Sequence, residues 1–300
     1  MTTSTQTTRR HEYSLVGAIP FALAHLAVLG VFWSGFTWPA FWLGVGLLAF
    51  RMFAITGFYH RYFSHRSFKT SRFMQFVMAF LTQTSVQRGA LWWAAHHRVH
   101  HKKSDQPGDV HSPVLDGFWH SHVGWLFVPG AGETRWEEIP DLARYPELRW
   151  LNKYWLVPPF FLALGCFLWM GWPGLFLGFF ASTVALWHSA FTINSVSHVI
   201  GRRRFKTTDQ SRNNWLLAIL TFGEGWHNNH HYYPGSARQG FYWWEYDLTY
   251  YLLKVMSWFG LIWDLRPPPA RVRERGRLLR MRRRQAKRRL RQIRRRATAA

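Results

Sequence analysis

The chain has 300 residues, 48% of them apolar and 18% aromatic, with one cysteine, Cys166, and a formal charge of +23. That composition excludes a disordered chain, and the single cysteine excludes intramolecular disulfides, CxxC redox chemistry and cysteine-ligated zinc or iron–sulfur centres. The charge is not evenly spread: residues 266–300 hold sixteen Lys or Arg against one acid, Glu274, leaving +8 for the rest.

Residues 1–13 are polar, with Arg9-Arg10 just ahead of the first apolar stretch, and the pair reads as a positive-inside anchor. Two apolar runs follow, 16–36 and 41–58, separated by a turn at Trp38-Pro39 and long enough to cross a bilayer at about 1.5 Å per residue. The second carries Arg51, which needs a partner or an aqueous route. A second pair, 155–170 and 175–193, turns at Gly171-Trp172-Pro173-Gly174. Neither turn contains Lys or Arg, whereas the N-terminus, residues 59–154 and everything after Gly201 do, which places both termini in the cytoplasm. The expected architecture is an all-α integral membrane protein with four spans in two hairpins and a helical cytosolic cap over residues 14–265. The shorter runs Phe73–Leu81, Leu91–Trp93, Phe241–Trp244 and Tyr250–Leu253 suit helices in the interface or buried in that cap. The tail, 266–300, is too charged to bury a core and is expected to be solvated or disordered, with anionic lipid headgroups as its partner. Nucleic acid is not expected, because no recognisable nucleic-acid-binding fold accompanies the charge.

Nine of the sixteen histidines fall in four spaced groups beside these runs: His60-x4-His65, His97-x2-His100-His101, His198 one turn after Asn194, and His227-x2-His230-His231. Imidazole is a neutral nitrogen ligand that suits iron, copper, zinc and nickel. On a helix i, i+3 and i+4 share a face, so each triplet can aim at one point. His60 and His65, five apart, do not align on an α-helix and are expected to straddle the end of the second span. Nine imidazoles exceed the coordination of one metal, so two metals are expected. Metal-bound histidines donate their second ring N–H to a carboxylate or carbonyl, for which Asp105, Asp109, Asp116, Asp209 and Glu224 are candidates. His96, His111, His120 and His122 read as supporting or structural. His25 and His188 lie within spans, where polar groups are paired or functional.

His60-Arg61-Tyr62-Phe63-Ser64-His65, His97-Arg98-Val99-His100-His101 and Gly223-Glu224-Gly225-Trp226-His227-Asn228-Asn229-His230-His231, with Ser121–Leu126 and Asn194–His198, resemble the histidine boxes of the membrane acyl-CoA delta-9 (stearoyl-CoA type) desaturases over about residues 40–250. The resemblance implies two Fe ions held by His60, His65, His97, His100, His101, His198, His227, His230 and His231, with Asn194 reaching its metal through a water. It implies O2 as co-substrate, two external electrons, and a cis double bond introduced at the delta-9 position of a saturated acyl chain. The chain departs from that branch at Ala95-His96, at Phe127-Val128-Pro129-Gly130 and at Phe191, the first two where basic residues help hold the CoA nucleotide. Acyl-CoA is the favoured carrier, with acyl carrier protein or intact lipid open. The electrons are expected from a separate donor such as a ferredoxin, rubredoxin, cytochrome b5 or reductase, and a bacterial membrane is favoured over the endoplasmic reticulum. The rival readings are another histidine-rich di-iron oxygenase that hydroxylates, and a non-catalytic zinc-binding membrane protein.

Overall fold

The computed structural model describes residues 11–298; Arg9 and Arg10 lie outside them. Helix α1 (Leu15–Ser34) starts at Ser14, whose Oγ accepts from the Gly17 amide at 3.0 Å, and is stopped by Gly35 at φ 81°. Helix α2 (Trp38–Ser64) is capped by Thr37 and carries Pro39 in its first turn, where a missing N–H costs nothing. The cap follows with α3 (Arg72–Gln83), α4 (Ala90–Lys103), α5 (Phe118–His122) and α6 (Pro146–Lys153). A 43-residue run, α7 (Val157–Val199), contains both remaining apolar stretches. The run is broken at Gly171 (φ 61°, ψ −149°), and Gly174 sits against the Cys166 carbonyl with no room for a Cβ, as in a tight reversal. Then come α8 (Trp215–Leu220), α9 (His227–Tyr232), α10 (Leu248–Trp258) and α11 (Ala270–Ala297). Two short antiparallel strands, β1 (Lys69–Thr70) and β2 (Ile262–Trp263), pair Lys69 with Trp263 and Thr70 with Ile262.

Among the described residues three helices, α1, α2 and α7, are long and apolar enough to cross a membrane. They leave Leu15, Phe32, Trp33, Leu168 and Trp169 exposed, the apolar belt a bilayer covers. The cap has its own core, in which Phe63, Phe68, Met78, Leu91, Leu148, Leu151 and Leu253 pack together. Met78 of α3 and Leu91 of α4 are buried in that core, while Phe73 on α3 and Trp243, after α9, point outward.

One expectation gains a geometry and another needs correction. The last ten residues of α2, Ile55–Ser64, form a π-helix, and the His65 amide donates to the His60 carbonyl at 3.2 Å. The pair straddles the end of the span as expected, His60 inside the helix and His65 as its C-cap, and the i→i+5 repeat brings the two onto one face. The tail is not disordered over the described residues: it forms α11. Its first turns dock on the cap through buried Val272 and through Leu279, which pack with Phe205, Phe241 and Tyr242. Tyr242 Oη donates to the Arg273 carbonyl, Arg280 stacks on Trp244, and Gly276 leaves room for Tyr242. Beyond that contact the arginines are solvated, as their charge requires.

Arg51 is fully buried in α2 and finds neutral partners. Its guanidinium donates to Thr183 Oγ1 (2.7 Å), Ser182 Oγ (2.5 Å), the Thr84 carbonyl (3.3 Å) and the Leu47 carbonyl (3.1 Å). The planar fork thereby ties α2 to α7 and to the loop after α3. Arg51→Lys keeps the buried charge but loses the fork, so it should destabilise by roughly 2–3 kcal/mol, whereas Arg51→Met should cost less. Thermal unfolding in detergent micelles checks the order, and a lysine variant as stable as the parent would remove the clamp from the account.

Candidate metal centre

The π-helical end of α2, α4, the C-terminal end of α7 and α9 converge. They bring all nine predicted histidines together in two adjoining sets. Donor atoms of His60, His65, His97, His101 and His230 lie within 4.8 Å of one another, and so do those of His100, His198, His227 and His231. The Nε2 atoms of His60 and His230, of His65 and His97, and of His101 and His230 are each 2.9 Å apart; those of His198 and His227 are 3.0 Å apart.

The carboxylates say what those nitrogens carry. His60 Nδ1 faces Glu224 at 2.5 Å, His100 Nδ1 faces Asp109 at 2.9 Å, His198 Nδ1 faces Asp105 at 2.8 Å and His231 Nδ1 faces Asp209 at 2.9 Å. An ionised carboxylate only accepts, so each of these rings keeps its proton on Nδ1 and turns a lone pair inward from Nε2. In each close pair at least one ring has no carboxylate on Nδ1, so it can place its proton on Nε2 and donate across the gap, or both lone pairs can turn to a shared cation. Two ligands at a right angle, each about 2.1 Å from a metal, are about 3.0 Å apart, which is the spacing seen. The inner Nε2 of His231 has no partner among the described residues, as a metal-facing nitrogen requires. The donor set therefore fits a pair of nitrogen-ligated metal ions.

Electrostatics keep the donors ready. Burial, reinforced by neighbouring imidazoles, holds His65, His97, His101, His227, His230 and His231 well below the ordinary histidine pKa, so they are neutral at pH 7. Burial alone would raise Glu224, Asp105 and Asp109, but their imidazole partners outweigh it and hold all three below the usual carboxylate range. Burial would raise Asp209 as well; the Ser211 and Thr207 hydrogen bonds and nearby His198 hold it down.

One wall of the site opens into a cavity of about 570 Å³, within the usual ~300–1,000 Å³ range of small-molecule sites. His60, His97, His227, Asn194 and Glu224 lie at its polar end; Phe21, Trp92, Trp125, Trp155, Trp187 and Phe191 line the rest. Comparison with known proteins agrees with this geometry. The family model "Fatty acid desaturase" matches residues 36–266. An acyl-CoA 5-desaturase of Anemone leveillei is 38% identical over 239 residues, covering 78% of this chain and 74% of the relative. An sn-2 palmitoyl-lipid 9-desaturase of Nostoc sp. is 38% identical over 233 residues, covering 75% and 82%. The chain belongs to the fatty acid desaturase family. It is thus an oxidoreductase acting on a fatty acyl substrate, in a membrane setting that its three long apolar helices match. A third relative, delta-9 acyl-lipid desaturase 2 of Arabidopsis thaliana, is 36% identical over 279 residues, covering 91% and 88%.

Four of the five candidate carboxylates in the desaturase each take one of the nine clustered histidines; the fifth, Asp116, pairs with His11, outside the cluster, at 2.9 Å. Asn194 lies on the cavity wall beside His227, and its backbone carbonyl accepts from Ser121 Oγ at 3.0 Å. Of the supporting histidines, His111 stacks on His100 with ring centroids 4.3 Å apart, and burial pushes it down to about 3. His96 lines the cavity and donates from Nδ1 to the Trp92 carbonyl. His25, His188 and His122 form a hydrogen-bonded chain that ends on Ser195 Oγ. Sequence reasoning missed two residues that hold Glu224. Arg61 donates to it at 3.0 Å and pairs with Asp247 at 2.9 Å, and the Gln239 amide donates to it at 2.9 Å. Arg61 sits inside the first box beside His60, which was the available clue; Gln239 carries no local signal. The two asparagines between His227 and His230 are structural. Asn228 Oδ1 accepts from the Arg204 and Phe205 amides, and Asn229 bridges the Gln239 carbonyl and Glu245, fixing α9 from behind.

Asp105→Asn should leave the desaturase folded but weaken metal retention about 10–100-fold, while Asp116→Asn leaves it unchanged. Metal content after graded chelator competition separates the two, and equal retention would remove the orienting role. A pH effect follows from the depressed histidines. Their folded pKa values lie below the unfolded value of about 6.5, so the unfolded chain binds protons first as pH falls. Metal-stripped protein should therefore lose stability below about pH 6.5, by up to ~1.4 kcal/mol per pH unit for each histidine, whereas the carboxylate contribution is lost only at lower pH. Unfolding midpoints between pH 7.5 and 5.5 test this; a flat profile would contradict neutral burial.

Proposed function

We propose that the desaturase is a di-iron enzyme that introduces a cis double bond, at the delta-9 position, into a saturated acyl chain held in the aromatic cavity. The observation carrying this reading is that the cavity ends on the inward lone pairs of two histidine sets. Iron is favoured over zinc by the donor count: structural zinc is almost always four-coordinate, whereas five imidazoles meet in the first set. His60, His65, His97, His101 and His230 would hold one ion, and His100, His198, His227 and His231 the other, with Asn194 reaching the second through a water. When bound, the metal pair supplies O2 activation with two electrons from a separate donor. The overall change combines the two hydrogens lost from adjacent methylenes with O2, two electrons and two protons to give two waters and the double bond.

The protein's own part is placement. Glu224, Asp105, Asp109 and Asp209 fix the tautomers of His60, His198, His100 and His231, so that these four rings present a lone pair from Nε2. The indoles and Phe191 confine the chain and exclude water, so that one methylene pair reaches the reacting end. Two of the three relatives named above have names specifying position 9 and one position 5, so the regiochemistry rests on the resemblance. Counting the reversal at Gly171 as a hairpin makes four spans, with both termini and the cap in the cytoplasm. The solvated arginines of α11 then suit anionic lipid or an acidic electron donor.

Expression in a desaturase-deficient bacterial host with a ferredoxin and its reductase tests the reading. Gas chromatography–mass spectrometry with double-bond localisation should show new cis-monounsaturated acids at position 9, and His100→Ala and His230→Ala should abolish them while leaving the protein in the membrane. Hydroxylated products, or activity surviving both substitutions, would overturn it.

A further inference from the structure

The aromatic cavity contains a cation without an anion. Arg88 lines it, partly buried, with its guanidinium 5.3 Å from the ring centroid of Trp92 and 5.8 Å from that of Trp155. No carboxylate lies within ion-pair distance of it among the described residues. Its one side-chain hydrogen bond is a long one, 3.4 Å, from Nη1 to the Gly132 carbonyl. Arginine has five N–H donors in a planar fork, so four are left over in a place where indoles supply little to accept them. The guanidinium is only partly buried, so its spare donors are open to whatever enters the cavity mouth, while the burial it has pulls it down from its ordinary value.

The position is also built. Val86 and Arg88 both have left-handed backbones, at φ 57° and 61°, a conformation that disfavours any residue with a Cβ. The segment is pinned from three sides: Tyr59 Oη donates to the Arg88 carbonyl (2.8 Å), Trp187 Nε1 to the Ser85 carbonyl (2.9 Å), and Arg51 to the Thr84 carbonyl. Opposite the guanidinium stands Gly132, where a Cβ would come within 2.9 Å of both terminal nitrogens. The chain thus holds an arginine in a strained conformation and keeps the space before it clear. The place is the cavity mouth. Gly132 is exposed, and Trp155 and Leu156 come immediately before α7 enters its apolar run, the level at which a lipid carries its phosphate.

We propose that Arg88 anchors a phosphate oxyanion borne by the substrate's head, and so sets which carrier the desaturase accepts. The inference rests on the reading of the cavity as the acyl site. The guanidinium fork takes two phosphate oxygens side by side, Trp92 and Trp155 hold its plane, and the acyl chain runs inward toward His60, His97 and His227. The basic pair expected after Leu126 in acyl-CoA-acting members is absent, Phe127–Gly130 standing there, which leaves Arg88 as the cation against this wall. A glycerophospholipid and a phosphopantetheine thioester share the phosphate, at different distances from the chain.

The test is binding by isothermal titration to purified full-length protein in detergent, so that it does not depend on turnover. The probes are 1-stearoyl-glycerol, 1-stearoyl-glycerol 3-phosphate and stearoyl-CoA. The phosphate should improve affinity at least tenfold over the uncharged glyceride. Arg88→Gln should erase that gain, and Arg88→Lys should keep part of it. Arg88→Gly removes the cation while relieving the backbone, so it should match Arg88→Gln in a protein at least as stable as the parent. If stearoyl-CoA weakens as much as the glycerophosphate in these variants, the phosphate is the carrier's; if only the glycerophosphate weakens, it is the lipid's. Equal affinity for glyceride and glycerophosphate in the parent, or a phosphate preference that survives Arg88→Gly, would overturn the anchor. Failure of all three probes to bind would instead bring down the acyl-site reading.

Discussion

Everything in this molecule is arranged around imidazole lone pairs forced to face one another. In water, nine neutral histidines would separate, since nitrogens 3 Å apart with inward lone pairs gain nothing from the approach. Here four carboxylates take the outward protons, and Arg61, Gln239 and the two asparagines of the last box hold the carboxylates and their helix in place. Four of the nine tautomers, those of His60, His100, His198 and His231, are thereby set before any metal enters. A site prepared in this way carries an electrostatic cost in the empty protein, and a pair of cations relieves it. The outer polar network is therefore as much a part of the centre as the nine rings.

The local backbone shows the same demand. A π-helix is rare because its hydrogen bonds and packing are poorer than those of an α-helix, and α2 spends its last ten residues in one. What it gains is register. His60 and His65 share a face, and Arg61, one position on, is turned toward Glu224 and Asp247 on the cap side. The span thus delivers two candidate ligands and the residue that holds the orienter of one of them, Glu224 on His60, without a loop between them.

How far the sequence could be read follows from how local each cause is. The triplets on α4 and α9 were legible because i, i+3 and i+4 need only an α-helix. The pairing of His60 with His65 was legible as membership but not as geometry, since nothing in Ile55–Ser64 announces a change of helical repeat. The carboxylates could be named as a set, yet assigning Asp105 to His198 requires two segments 93 residues apart to meet. Gln239 was invisible for the same reason, as was Arg51's set of neutral partners on α7. Charge misled at the other end of the chain. Residues 270–297 are arginine-rich enough to read as unstructured, but Val272, Gly276 and Leu279 recur on one face, and that face is enough to dock the first turns against Tyr242 and Phe205.

Arg51 and Arg88 show how one segment serves both membrane and substrate. Arg51, deep in α2, spends its fork on hydroxyls and carbonyls and needs no anion; it is complete. One of its bonds holds the Thr84 carbonyl, four residues before Arg88 on the strained turn. Arg88 has the same side chain in a comparably apolar setting, but its fork is nearly empty and faces a cleared space. The two differ in acceptors and in burial: Arg51 is fully enclosed, whereas Arg88 is partly open. A protein that satisfies one buried guanidinium four times over, and uses it to pin the turn presenting a second one unpaired, has left the second for something that arrives from outside.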